Sequence, residues 1–163
     1  MAPEFTPATI AKLDRAAALC DRRGTRLTEL RRLVLGLILD AEAPAGAYDL
    51  LERLRGHRGA SAPPTVYRAL DFLLKQGFVH RIERLSAFVG CIDSGEGGAH
   101  DHGDGHHHAA QFLICRQCGQ ATEIENLDVT HALAAAAGKL GFRVTGATIE
   151  AEGVCGRCQE AVL

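Results

Sequence analysis

Apolar residues recur at helical spacing through the first half of the chain and then switch to short runs of strand length. Thr6 and Pro7 form a helix-start pair, and Ile10, Leu13, Ala17 and Cys20 fall on one face, which predicts a helix over residues 7–22. Gly24 interrupts the pattern and Thr28 is a candidate cap. Leu30, Leu33, Val34, Leu37 and Ile38 then repeat at i, i+3, i+4, i+7 and i+8, an amphipathic helix that accommodates Gly36. Residues 43–46 read as a break, after which Tyr48, Leu50, Leu51 and Leu54 predict a short third helix ending near Gly56. Residues 61–77 predict a fourth helix, opened by Pro63 and Pro64 and closed by Gly77. Its Val66, Leu70, Leu73 and Leu74 point inward, while Thr65, Arg68, Asp71 and Lys75 lie outward with Tyr67 beside them. Two apolar runs, 78–82 and 87–92, follow with a polar turn between them and predict a β-hairpin.

Several short helices followed by a hairpin is the order of a winged helix-turn-helix, and the fourth helix stands where a recognition helix would. A small helical domain with a polar face has the same order, so topology alone leaves both readings open. Residues 93–110 are too rich in glycine, histidine and acid to pack and are expected to form a mobile loop. Beyond it, 111–115 and 122–124 predict strands, 126–139 an alanine-rich helix and 142–151 a further strand. The expected class is α+β, divided into 1–84, a hinge and loop over 85–110, and a mixed α/β domain over 111–163.

Composition narrows the class. With 163 residues, 47% apolar and 23% charged, the chain reads as an ordinary soluble protein of one large or two small domains. The longest strictly apolar run, residues 33–39, is far short of the ~20 a membrane helix needs, so no membrane partner is expected. The first residues lack the pattern of a secretory signal, which predicts a cytoplasmic protein whose six cysteines are not used for disulfides by default. The net charge of −2 conceals an asymmetry: residues 1–84 carry fourteen basic and ten acidic groups, whereas 85–163 carry four and ten. The basic half suits an anionic partner such as nucleic acid, and the acidic half holds five of the cysteines and six of the eight histidines.

Those cysteines carry the clearest chemistry. Cys115 and Cys118 form one CxxC knuckle and Cys155 and Cys158 another, with 36 residues between them. Four thiolates suit a closed tetrahedral zinc site that fastens two distant segments, a better reading than a redox pair. Cys91 stands on the second hairpin strand and His80 on the first; the run His106, His107, His108 and Glu123 could complete a mixed metal site, although sequence alone does not bring these groups together. His100 and His102 read as solvated loop residues, His57 as a surface imidazole and Cys20 as a buried thiol, while His131 could join a further site. No metalloprotease helix, phosphate loop, nucleophile elbow or deaminase motif is present, so no catalytic residues and no small-molecule substrate are expected.

Taken in order, Leu27-Thr28 with Arg31, Ala47-Tyr48-Asp49-Leu50-Leu51, the run from Pro64 through Thr65, Val66, Tyr67 and Arg68 to Leu73, Gly77-Phe78-Val79-His80 and both CxxC pairs resemble the ferric uptake regulator family of bacterial metal-sensing repressors. The resemblance spans nearly the whole chain and is strongest to its zinc uptake regulator branch. It departs from the family at Glu29 and Leu30, where proline and glutamine are usual, and in the long histidine-rich loop.

The resemblance implies a winged-helix DNA-binding domain, a hinge and a carboxyl-terminal dimerisation domain in which Cys115, Cys118, Cys155 and Cys158 hold structural zinc. His80, Cys91, Glu123 and a histidine before the first knuckle, by spacing His108, match the branch's sensory zinc ligands. Thr65, Tyr67 and Arg68 fall on the recognition helix, with Arg68 placed for a purine contact. The implied function is a zinc-responsive repressor with about two zinc ions per protomer. It would bind double-stranded operator DNA as a homodimer and shut off zinc-uptake genes. An iron- or peroxide-responsive member of the family and a zinc storage or delivery protein are the alternatives.

Overall fold

The Thr6 side chain accepts a hydrogen bond from the Thr9 amide at 3.2 Å, and a proline follows at the first helical position, where its missing N–H would have no partner in any case. From this start the first helix, α1, runs over Pro7–Arg22. The computed structural model describes residues 5–55, 62–91 and 110–160. The chain divides into two units, Met1–Ser94 and Gly95–Leu163.

In the first unit α1 is followed by α2 (Glu29–Leu39), β1 (Ala45–Gly46), α3 (Ala47–Arg53), α4 (Pro63–Lys75), β2 (Val79–Ile82) and β3 (Ala87–Gly90). Thr28 occupies the cap position of α2 with extended backbone, but its side chain makes no capping bond. Leu13, Val34, Leu35, Leu50, Leu54, Val66, Leu70 and Leu73 are almost wholly buried together. Removing each such side chain from water contributes ~1.5–3 kcal/mol, which makes this core the source of the helical domain's stability. Cys20 lies in it as an inert apolar group.

The amino half of α4 leaves its polar face outward, and its carboxyl end is fixed by a turn that only glycine makes cheaply. Gly77 has φ +73°, its N–H donates to the Leu74 carbonyl and the Phe78 N–H donates to the Leu73 carbonyl, both at 3.0 Å. Beyond its chain neighbours, no atom of the described residues stands within 4 Å of where a Cβ would be, so the cost of a side chain there is one of backbone conformation. Gly77→Ala should therefore lower stability by ~1–2 kcal/mol, visible as a reduced Tm, and leave metal content unchanged. A Tm equal to wild type would show that the turn is not held left-handed.

The sheet of this unit has the order β1-β3-β2, with all pairs antiparallel. The hairpin matches the predicted runs, whereas β1 occupies the segment read as a break. Two residues are too few to show alternation, and alanine and glycine are poor strand formers, so the pairing of Ala45 with Phe88 left no trace in the pattern.

The second unit contains β4 (Ala110–Cys115), β5 (Ala121–Ile124), α5 (Leu127–Gly138), β6 (Thr148–Gly153) and α6 (Gly156–Glu160). Its sheet has the order β5-β4-β6, with β4 antiparallel to β5 and parallel to β6. Asn126 caps α5 by accepting from the Asp128 and Val129 amides at 2.9 and 3.2 Å. The Gln111 amide ties this cap to the sheet by donating to the Asn126 carbonyl at 2.9 Å.

The strand expected from residue 142 begins only at Thr148. The preceding residues close α5 instead: Gly141 has φ +69° and the Phe142 N–H donates to the Ala137 carbonyl at 3.0 Å. α6 was absent from the sequence reading because its five residues are too short for a helical period. α5 has no buried residue in this chain, and Leu127, Leu140 and Phe142 are 73%, 86% and 66% exposed. Residues 56–61 and 92–109 lie outside the described residues, and with them His57, the loop histidines His100, His102, His106, His107 and His108, and the expected loop.

Candidate metal centres and nucleic-acid interface

The parallel pairing of β4 with β6 explains how two CxxC pairs 36 residues apart meet. Cys115 ends β4 and lies in register with Gly153, two residues before Cys155. The first knuckle turns back at once: Gly119, at φ +73°, donates to the Cys115 carbonyl, and the Cys115 N–H donates to the Gln120 carbonyl, both at 2.8 Å. The second runs into α6, which carries Cys158. All four sulfurs lie within 4.8 Å of one another, and Cys118 and Cys155 are 3.9 Å apart. A tetrahedron of metal–sulfur bonds ~2.3 Å long has edges of about 3.8 Å, so the four thiols stand close enough that they could hold one metal ion together.

Protonation of the cluster fits that role. The Cys115 thiol is lowered to about 6, because the Cys118 and Cys155 backbone N–H groups point at its sulfur, the latter at 3.3 Å. The Cys158 thiol is pushed up to about 12, first by its hydrogen bond to the Cys155 sulfur and then by burial and the Cys118 and Cys115 sulfurs. One thiolate is welcome here and a fourth is not, unless a cation neutralises them. Metal binding therefore displaces protons and weakens as pH falls. Arg157 donates to the Gln120 side chain at 2.5 Å and ties one knuckle to the other. Neither residue has a periodic or motif signal, and sequence reasoning missed both.

In the first unit, the hairpin brings His80 and Cys91 together. His80 pairs with Val89, and Cys91 lies two residues further along, on the same face and diagonal to His80. The Cys91 N–H donates to the Phe78 carbonyl at 2.9 Å, and His80 Nε2 stands 2.6 Å from Cys91 Sγ. A tetrahedral zinc with bonds of ~2.0 Å to nitrogen and 2.3 Å to sulfur holds such donors about 3.5 Å apart, so an ion would open the pair by about 1 Å. Glu123 lies on β5 of the second unit, paired with Phe112, and His108 lies outside the described residues. His131 is exposed on α5.

The third candidate surface is α4. Arg68 and Tyr67 are exposed and Thr65 is half-buried, all within the first half of the helix. Flanking arginines are held in place: the Arg31 guanidinium lies 3.6 Å over the Phe72 ring and donates to the Arg26 carbonyl at 2.6 Å, and Arg23 donates to the Gln76 carbonyl at 2.9 Å. Cationic groups fixed around a helix with a free polar face are what a phosphate backbone and a groove require.

Comparison with known proteins agrees with this geometry. Residues 22–152 match the family described as the ferric uptake regulator family. The zinc uptake regulation protein of Escherichia coli (strain K12) is 42% identical over 151 residues, 91% of this chain and 81% of that protein. A zinc uptake regulator complexed with zinc and DNA is similar in structure with a TM-score of 0.82 at 36% identity, covering 96% of this chain and 99% of the other. A crystal structure of holo XcZur gives 0.77 at 42% identity, covering 92% and 98%. With most of its length matched by the family and a relative 42% identical across 91% of the chain, the chain belongs to the ferric uptake regulator family.

Proposed function

We propose that the protein is a zinc-responsive transcriptional repressor that binds operator DNA as a homodimer when zinc-loaded and represses genes of zinc uptake. The observation that carries this reading is the close His80–Cys91 donor pair on the hairpin of a chain 42% identical to a zinc uptake regulation protein. A thiolate in the set favours zinc over iron(II) or manganese(II), which prefer carboxylate and imidazole. His80, Cys91, His108 and Glu123 are the proposed sensory ligands, and Cys115, Cys118, Cys155 and Cys158 the structural ones. Thr65, Tyr67 and Arg68 are proposed to face DNA, with Arg68 reaching a guanine edge. The apolar residues Leu127, Leu140 and Phe142, exposed in the single chain, are the part of the second unit we assign to dimerisation.

Each site has one physical task. Zinc in the four-thiolate cluster cross-links two distant segments, and zinc in the sensory site favours the dimer arrangement whose two recognition helices match half-sites on one DNA face. To bias that equilibrium a hundredfold, zinc must bind the DNA-competent form better by ~2.7 kcal/mol, a modest demand on four metal bonds. Nothing in the task needs catalysis, and we place the protein in the cytoplasm as a regulator and not an enzyme. Among the described residues no helix is long and apolar enough to cross a membrane.

Cys91→Ser tests the division of labour. The variant should remain a folded dimer with its four-thiolate zinc and lose the zinc-triggered gain in operator affinity, measured by gel shift at buffered free zinc. Retained zinc response would remove Cys91 from the sensory site.

A further inference from the structure

Gly90 is the last residue of β3 and immediately precedes Cys91. It pairs with Val79, the neighbour of His80, so the Val79–Gly90 rung lies directly beside the donor pair. Its φ is not in the left-handed region, where Gly24, Gly77, Gly119 and Gly141 lie, so backbone conformation does not require glycine here. Space does. A Cβ at this position would overlap Leu39 Cδ2 and come within 3.4 Å of Leu39 Cγ. Leu39 is the last residue of α2 and packs against the hydrophobic core, and α2 in turn packs against both β3 and α4. Glycine inside a strand weakens it and marks a close approach; here that approach is by the end of the helix preceding the recognition helix in the packing.

We propose that Gly90 is a positioning residue for the sensory zinc. By letting β3 lie against Leu39 it sets Cys91 beside His80, and the same contact ties the donor pair through α2 to α4, the helix that presents Tyr67 and Arg68. The proposal rests on the sensory-site reading above. A side chain at position 90 displaces the strand end and spoils the alignment of the two donors, much as loss of a group supporting a metal ligand costs ~10–100-fold in affinity.

The test uses the full-length dimer with its four-thiolate cluster filled with zinc, to which cobalt(II) is then added. The thiolate-to-cobalt absorption band reports Cys91 ligation alone. Gly90→Ala should weaken cobalt(II) and zinc binding at this site by ~10–100-fold, with structural zinc content and dimerisation unchanged. Trimming the obstructing side chain in Leu39→Ala/Gly90→Ala should restore the affinity of Leu39→Ala alone, and this comparison stands even where the single alanine variant folds poorly. Wild-type affinity in Gly90→Ala would overturn the proposal, since Leu39 would then simply turn aside. A double variant that stays weak while Leu39→Ala binds normally would overturn it too. Absence of the band in the wild-type protein would instead overturn the sensory-site reading.

Discussion

Replacing Cys155 by serine is expected to release the four-thiolate zinc and with it the folded second unit, the largest stability effect of any single substitution in the chain. Among the described residues of that unit only Ala110, Gln111, Phe112, Ile114 and Cys115 are buried, so it has little core to fall back on. Structural zinc in small domains binds with ~10–16 kcal/mol, comparable to the whole folding stability of a typical domain. Three thiolates and a hydroxyl keep only part of this, and α6 and β6 lose the metal that pins them beside β4. Zinc content, size-exclusion chromatography and thermal melting should show loss of one zinc per protomer, dissociation of the dimer and a transition shifted to much lower temperature. A variant that remains a folded dimer without this zinc would show that the strand pairing suffices.

Arg68→Ala should have the largest effect on DNA binding with the least on structure. The side chain is exposed on α4, so melting temperature and zinc content should match wild type. A bidentate arginine–guanine contact contributes ~1–3 kcal/mol, and in a symmetric dimer the loss occurs at both half-sites, or about 2–6 kcal/mol in all. That removes detectable specific binding at ordinary protein concentrations. Arg68→Lys, which keeps the charge but not the planar fork, should recover the salt-dependent, sequence-independent part alone. Undiminished operator affinity in the alanine variant would move base recognition elsewhere.

The contrast between what was readable in the sequence and what was not follows the length of the signal. α1 spans sixteen residues and carries a full helical period, and its predicted span matches the structure. The two CxxC pairs have a spacing that itself specifies chemistry, and their sulfurs do converge. His80 and Cys91 could be paired because a hairpin with a short turn fixes its register within a residue or two. β1, α6 and the true start of β6 left no such trace. β1 and α6 are shorter than the period that would reveal them, and the apparent alternation before β6 came from a helix-closing turn at Gly141. The Gly90–Leu39 contact and the Arg157–Gln120 tie are long-range meetings between residues that carry no pattern of their own.

The central claim is that zinc, through the hairpin site, switches DNA binding on. It is tested most directly by measuring affinity for a zinc-uptake operator across a series of buffered free-zinc concentrations, with iron(II) and manganese(II) in parallel and the four-thiolate cluster kept filled. The account predicts that affinity rises by about a hundredfold with zinc alone, in a concentration range where the structural site is already saturated. A rise with iron(II) or manganese(II), or zinc binding with no change in DNA affinity, would contradict it.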